Sequence, residues 1–398
     1  MASQKTLPLW LLALGTGSAV MGITLITPAL PVISRDLQID PNRVQYLLTA
    51  YLAMLAGGQL FYGPLSDVFG RRIFFRMGAL FITLGGLFAL MVTDITLLTL
   101  CRVLQGLGAG ACISMGRTMV NDYFAKEDAA KAMATVQTIQ AIVPMLALIF
   151  GGTIVFLFGW QGVMGLIFIA GFILLLGSFV FLPETNPSTG QSLQLATVIN
   201  GYQQVLTNPV FVSFMIVSSL QVGAFFTMNA FIPYAYEAIG VNSLAFGFYF
   251  AMTPVGYVAG NLFNRLYMVK KGVAIATFTG CILAVTSLTA LVFVQLSGAT
   301  EPLAFALPCA AFGFGNGLTV ANATIGGISA ARANAGTASG LIGAVTMVVG
   351  GVGGAVVIAL GAADNVQIGF VGILAMACIS LACIIHILRK ERKAKKVA

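Results

Sequence analysis

Arg102 is the residue whose position in this chain most demands a chemical explanation. It lies in the run 96–110, eight residues after Asp94, inside a segment apolar enough to cross a bilayer. An ionised side chain at that depth costs about 2.5–3.5 kcal/mol on insertion scales and usually faces a protein interior or an aqueous cavity. None of the twelve acids offers a partner at that depth. Asp36, Asp40, Asp67, Asp94, Asp122, Glu127, Asp128, Glu184, Glu237, Glu301, Asp364 and Glu391 all fall at the ends of apolar runs or between them. Two readings of Arg102 stay open. Its five donors can be capped by carbonyls and by polar side chains of neighbouring helices, such as Gln45 or Gln105. Alternatively it meets a substrate or takes part in coupling, and a lone cation then favours an anionic or carboxylate-bearing compound.

Other chemistries find no footing. The six cysteines (Cys101, Cys112, Cys281, Cys309, Cys378 and Cys383) sit inside apolar runs without CxxC spacing, so metal sites and structural disulfides are not expected. No nucleophile–base pair is evident, which argues against an enzyme, and no cofactor is implied. The net charge of +8 is distributed along membrane boundaries, so it does not point to nucleic acid.

The elements that must position Arg102 follow from composition. Of 398 residues, 59% are hydrophobic and 8% charged, against roughly 25% charged in soluble domains. Long apolar runs predict membrane helices rather than alternating strands. Twelve spans are expected at 8–33, 42–66, 72–93, 95–121, 129–158, 161–183, 209–236, 242–266, 271–297, 302–328, 334–361 and 366–388. The polar stretch 184–208 then links an N-terminal six-helix bundle, 1–183, to a C-terminal one, 209–398. The apolar run after Lys5 is too long for a signal-peptide core and is read as the first span.

Lys and Arg alternate between the two sides. With the N-terminus cytoplasmic, seventeen lie on that side or at its helix ends, including Arg71, Arg72, Arg117, Lys270 and the tail from Arg389 to Lys396. Only Arg35 and Arg43 lie opposite, which places both termini in the cytoplasm. The basic tail is expected to act as an orientation anchor near anionic lipid.

The halves echo each other. Gly106-Leu107-Gly108-Ala109-Gly110 in span 4 resembles Gly313-Phe314-Gly315-Asn316-Gly317 in span 10, which sets Arg102 opposite Cys309. Six-plus-six repeats with a polar interior are the architecture of secondary transporters. Spans 3, 6 and 12 are nearly devoid of hydrogen-bonding side chains. Others carry cavity-lining candidates: Thr24, Gln105, Gln140, Asn229, Tyr234, Tyr257 and Asn322. Pro144 is expected to kink span 5.

Between spans 2 and 3 runs Gly63-Pro64-Leu65-Ser66-Asp67-Val68-Phe69-Gly70-Arg71-Arg72. It resembles motif A of the major facilitator superfamily. Gly63 is expected to permit close helix contact, Asp67 to sit at a helix N-terminus, and Arg71 to pair with a carboxylate on another helix, with Asp122 the candidate. Gly70 completes the turn, and the set reads as a latch that stabilises one access state. The stretch from Cys101 to Ala109 resembles motif B of proton-driven drug exporters. The runs Ala335–Gly340 and Pro144–Gly152 are similar to the bicyclomycin-resistance (Bcr/CflA) branch.

The resemblance implies an all-α integral membrane protein of major facilitator fold. It implies twelve transmembrane helices in two pseudo-symmetric halves, working as a monomer in a bacterial cytoplasmic membrane. It also implies export of a small organic compound, a drug or amphipathic metabolite, by proton antiport. Two positions depart from the branch. Where it commonly reads Ile-Asp-x-Tyr-Leu-Pro, this chain has Ile23-Thr24-Leu25-Ile26-Thr27-Pro28, and Leu148 stands where a second proline is common. Thr24 does not titrate, so proton coupling comes from the resemblance and not from visible carboxylates. A facilitator without proton coupling, for an anionic metabolite such as a siderophore or amino-acid derivative, is the alternative.

Overall fold

The computed structural model describes residues 7–124, 126–186 and 195–397. Lys5 and the linker stretch 187–194 lie outside the described residues, as do the side chains of the basic tail beyond Arg389. Among the described residues the secondary structure is helical, without strands.

Among the described residues, ten helical segments are long and apolar enough to cross a membrane. One of these, Lys131–Phe181, holds two helices that meet at Gly159, whose φ of 68° and ψ of −174° leave the helical region. With the apolar helix Ser243–Phe263 the count reaches twelve. In chain order the spans are Leu9–Asp36, Pro41–Phe69, Arg71–Ala89, Ile95–Tyr123, 126–158, 160–181, Pro209–Ala238, Ser243–Phe263, Val273–Leu296, Pro302–Ala330, Ala335–Ala359 and Val366–Val397. They are called spans 1 to 12 below.

Local sequence sets several of the ends. Asp40 Oδ1 accepts from Asn42 N at the start of span 2, and Asp94 Oδ1 accepts from Leu97 N at the start of span 4. Asn208 and Asn242 cap spans 7 and 8 in the same way. These side-chain oxygens meet first-turn N–H groups that have no partner within the helix.

Three elements differ from expectation. Span 1 is interrupted: helix Leu9–Thr24 gives way to a 3₁₀ turn, Thr27–Ala29, before Leu30–Asp36. Pro28 and Pro31 supply no N–H, so the α-helical ladder cannot run through them. The linker contains a helix, Leu195–Leu206. Its Val205 is buried with Phe211, Met215, Ala338 and Ile342. Span 12 continues as helix through the basic tail to Val397.

The chain divides into two compact units, Met1–Leu195 and Ala196–Ala398. In the first, span 4 packs against spans 1, 2 and 3, and the 126–181 pair packs against spans 1 and 3. In the second, span 10 packs against spans 7, 8 and 9, span 7 against spans 11 and 12, and span 9 against span 12. The second pattern is the first with every span number raised by six.

The glycine stripes make these packings possible. A methyl on Gly110 would stand 2.8 Å from Gly58 Cα, and one on Gly106 would strike Tyr51 O. In the second unit, methyls on Gly313 and Gly317 would strike the carbonyls of Thr253 and Tyr257. Span 4 lies on span 2, and span 10 on span 8, at backbone contact distance, the role small residues play between membrane helices.

Candidate functional site

Span 4 carries Arg102 into the centre of the first unit, where the side chain is fully buried. Its donors go to three places. Nε donates to Leu47 O of span 2 at 3.0 Å, Nη2 to Gly22 O of span 1 at 2.6 Å, and Nη1 to Gln105 Oε1 at 2.6 Å. The guanidinium carbon stands 4.1 Å from the centre of the Tyr51 ring. Tyr51 in turn donates its hydroxyl to Ala19 O at 2.6 Å. Gly22 leaves room for that hydroxyl, since a methyl there would come within 2.5 Å of it.

Carbonyl dipoles and an aromatic face thus do what a carboxylate would otherwise do. Gln105 is one of the two capping side chains anticipated. Gln45 is not a partner; its Nε2 reaches Thr49 Oγ1 at 3.4 Å. Gln105 Nε2 is buried with no hydrogen-bond partner. Opposite Arg102 in the repeat, Cys309 is buried against Met228 Sδ at 3.9 Å, an apolar contact where the first unit has its cation.

The other expected residues are scattered. Thr24 is buried and bonds back to Val20 O at 3.2 Å within its own helix. Gln140 is half-buried on span 5, one turn before Pro144. The helix 126–158 runs on through Pro144, and the non-helical backbone of this region is at Gly159. In the second unit Asn229 is buried and donates to Phe225 O at 2.7 Å. Tyr234 and Tyr257 are half-buried. Asn322 donates to Leu318 O at 2.7 Å and to Asn264 Oδ1 at 2.8 Å, where span 8 passes into the π-turn Asn264–Met268.

A polar cluster that had not been singled out lies in the second unit. Gln221 Nε2 donates to Ser380 Oγ at 3.2 Å, and Gln221 O accepts from Asn316 Nδ2 at 3.2 Å. It joins spans 7, 10 and 12. Nothing in the spacing of Gln221 and Asn316 ties them to Ser380, 159 residues along the chain from Gln221.

The loop between spans 2 and 3 builds the second constellation. Arg71, largely buried, points its guanidinium at several groups at once. Nε donates to Asp122 Oδ2 of span 4 at 2.9 Å, and Nη2 pairs with Asp67 Oδ1 at 2.5 Å. Nη1 reaches Ser66 Oγ at 2.5 Å and Gly63 O at 3.4 Å. Asp122 is the partner anticipated for Arg71.

Two details of that loop correct the sequence reading. Asp67 lies in the last turn of span 2 rather than at a helix N-terminus, and it faces Arg71 one turn on. Gly63 is not a close-contact position, since a methyl there would meet nothing within 4 Å. Its contribution is its carbonyl, which accepts from Arg71 and from Ser66 Oγ at 2.7 Å.

A family model, the Major Facilitator Superfamily, matches residues 12–355. The chain belongs to that superfamily. It is a multi-pass membrane transporter of small molecules, not an enzyme. Over 372 residues it is 28% identical to a bicyclomycin resistance protein homolog of Haemophilus influenzae, covering 90% of each chain. It is 29% identical over 206 residues, 52% of each chain, to the multidrug resistance protein MdtL of Escherichia coli O157:H7. Among solved structures, the POT family transporter PepTSo superposes with a TM-score of 0.75 at 12% identity over 98% of both chains. The human organic anion transporter MFSD10 superposes at 0.69 with 13% identity, over 94% of this chain and 98% of that one. At those identities the structural likeness establishes the fold alone.

Proposed function

We propose that this chain exports a small organic compound, a drug or amphipathic metabolite, across a bacterial cytoplasmic membrane in exchange for protons. The observation that carries the reading is the similarity to a bicyclomycin resistance homolog across nine-tenths of both chains. Both termini face the cytoplasm, as the Lys/Arg asymmetry requires. That orientation puts the Asp67–Arg71–Asp122 constellation on the cytoplasmic side, where it holds one access state. Breaking it is part of the transport cycle.

Arg102 supports this reading as a clamp. It ties spans 1, 2 and 4 through backbone carbonyls, and in this conformation no surface of it is open to a substrate. Gln140 in the first unit and Tyr234 and Tyr257 in the second, all half-buried, are the candidate substrate positions in this conformation. Thr24, Gln105, Asn229 and Asn322 are buried, as Arg102 is, and are candidates for substrate or coupling in a conformation that opens them. Pro144 is the candidate hinge of span 5.

A facilitator without proton coupling is the second reading, and one observation favours it. Among the described residues the buried charged side chains are Arg71 and Arg102, with no buried carboxylate beside them. An efflux-deficient bacterial host expressing the chain separates export from other roles. Export raises the tolerated concentration of at least one compound in a broad toxic panel and lowers its accumulation in cells. Unchanged tolerance together with faster accumulation supports the facilitator.

A further inference from the structure

Span 3 begins abruptly. Gly70, with φ 98° and ψ 152°, turns the chain directly from span 2 into span 3 without a capping side chain of its own. The first N–H groups of a helix have no acceptor inside it. Here they are met from 113 and 112 residues away: Glu184 Oε1 accepts from Arg71 N at 2.9 Å, and Oε2 accepts from Arg72 N at 3.1 Å. A carboxylate at a helix N-terminus is favoured by charge-assisted hydrogen bonds and by the helix dipole. Glu184 Oε1 also accepts from Thr185 N and Asn186 N at 3.0 Å each, which fixes the orientation of the carboxylate.

The other helix end is closed by the same short segment. Asn186 Nδ2 donates to Asp67 O at 2.9 Å and Ser66 O at 3.3 Å, in the last turn of span 2. Gly70 is fitted to the arrangement, since a methyl on it would stand 2.7 Å from Glu184 Oε2. Glu184 and Asn186 follow directly on span 6 and open the stretch that leads to the second unit.

We propose that Glu184 and Asn186 are positioning residues of the gate: the linker holds the span 2–span 3 turn so that Arg71 reaches Asp122. The proposal rests on reading the Asp67–Arg71–Asp122 constellation as the latch. Arg71 is then held at both ends, its main-chain N–H by Glu184 and its guanidinium by Asp67 and Asp122. A displacement of the linker during the cycle acts on Arg71 through the Glu184 carboxylate and loosens the latch. Glu184 thereby connects the chain between the units to the gate without touching substrate.

The test uses the full-length chain in detergent micelles, with phenylglyoxal as an arginine probe and mass spectrometry to locate its adducts. In the native protein Arg71 is expected to be protected. In Glu184→Ala its modification rate is expected to rise at least about tenfold, the scale of losing charge-assisted hydrogen bonds, while buried Arg102 stays protected. Glu184→Gln keeps one acceptor and is expected to fall between. If Glu184→Ala loses its fold and exposes Arg102 as well, Glu184→Gln and Asn186→Ala decide the matter by the same ratio of Arg71 to Arg102 labelling. Arg71 protection unchanged in the folded variants overturns the proposal. None of these readings depends on transport, so a failure of the export reading leaves them intact. With a transported compound in hand, Glu184→Ala is expected to lower the maximal rate at nearly constant KM, and to add no further loss in an Arg71→Ala background. Additive losses overturn the coupling.

Discussion

Arg102 anchors its charge in the backbone of two neighbouring spans, and this sets what its replacement does. Arg102→Ala removes the guanidinium donors that reach Leu47 O and Gly22 O, takes away the partner of the buried Gln105 Oε1, and opens a void beneath Tyr51. Each buried group left unpaired costs on the order of 1–3 kcal/mol. The Ala variant is expected to insert into the membrane and lose transport. Arg102→Lys, with a single ammonium that cannot reach all three acceptors in a planar fork, is expected to retain a fraction of it. Uptake assays at matched expression check both; full transport by the Ala variant removes any functional claim for Arg102. Gly63 and Gly70 make a sharper pair. Gly63→Ala meets open space and is expected to be near neutral. Gly70→Ala places a side chain at positive φ and against Glu184 Oε2, and is expected to lower thermal stability in detergent by the equivalent of about 1–2 kcal/mol or more.

At the scale of elements, spans 4 and 10 act as the spine of their units, packed chiefly against spans 1, 2 and 3 and against spans 7, 8 and 9. Their glycine stripes sit at backbone contact distance from spans 2 and 8. A bulky residue there must push the helices apart, since overpacking costs about 1–3 kcal/mol. Gly110→Leu and Gly317→Leu are therefore expected to lower the melting temperature measured in detergent by similar amounts. A large drop for one and none for the other would contradict the repeat. Much of this level was legible in the sequence. Long apolar runs placed the helices, and the paired glycine motifs set the two halves in register. The break in span 1 was not anticipated, although Pro28 and Pro31 were in plain view. An X-Pro pair in a membrane span permits a kink, a break or a continuous helix, and packing decides. Pro144 shows the opposite outcome within a continuous helix. The linker helix was hidden because 184–208 is polar on average, while Val205 and the residues around it are buried only by tertiary contact.

For the whole molecule, the candidate site was legible where function writes a local pattern. The ten-residue stretch from Gly63 to Arg72 pointed to Arg71, and its depth in an apolar run pointed to Arg102. Glu184 and Asn186 escaped because a hydrogen bond across 112 or more residues leaves no spacing to read. Asp67 was misplaced because a carboxylate next to a helix boundary can belong to either helix. Export in exchange for protons, as proposed, must run in a chain that buries no carboxylate among its described residues. Inside-out membrane vesicles that maintain a pH gradient, treated with a compound to which the chain confers tolerance, test it most directly. The gradient is expected to fall on addition of compound in vesicles containing the chain and to hold in vesicles lacking it. Compound movement that continues at the same rate after the gradient is collapsed, with no gradient loss beforehand, would contradict proton exchange.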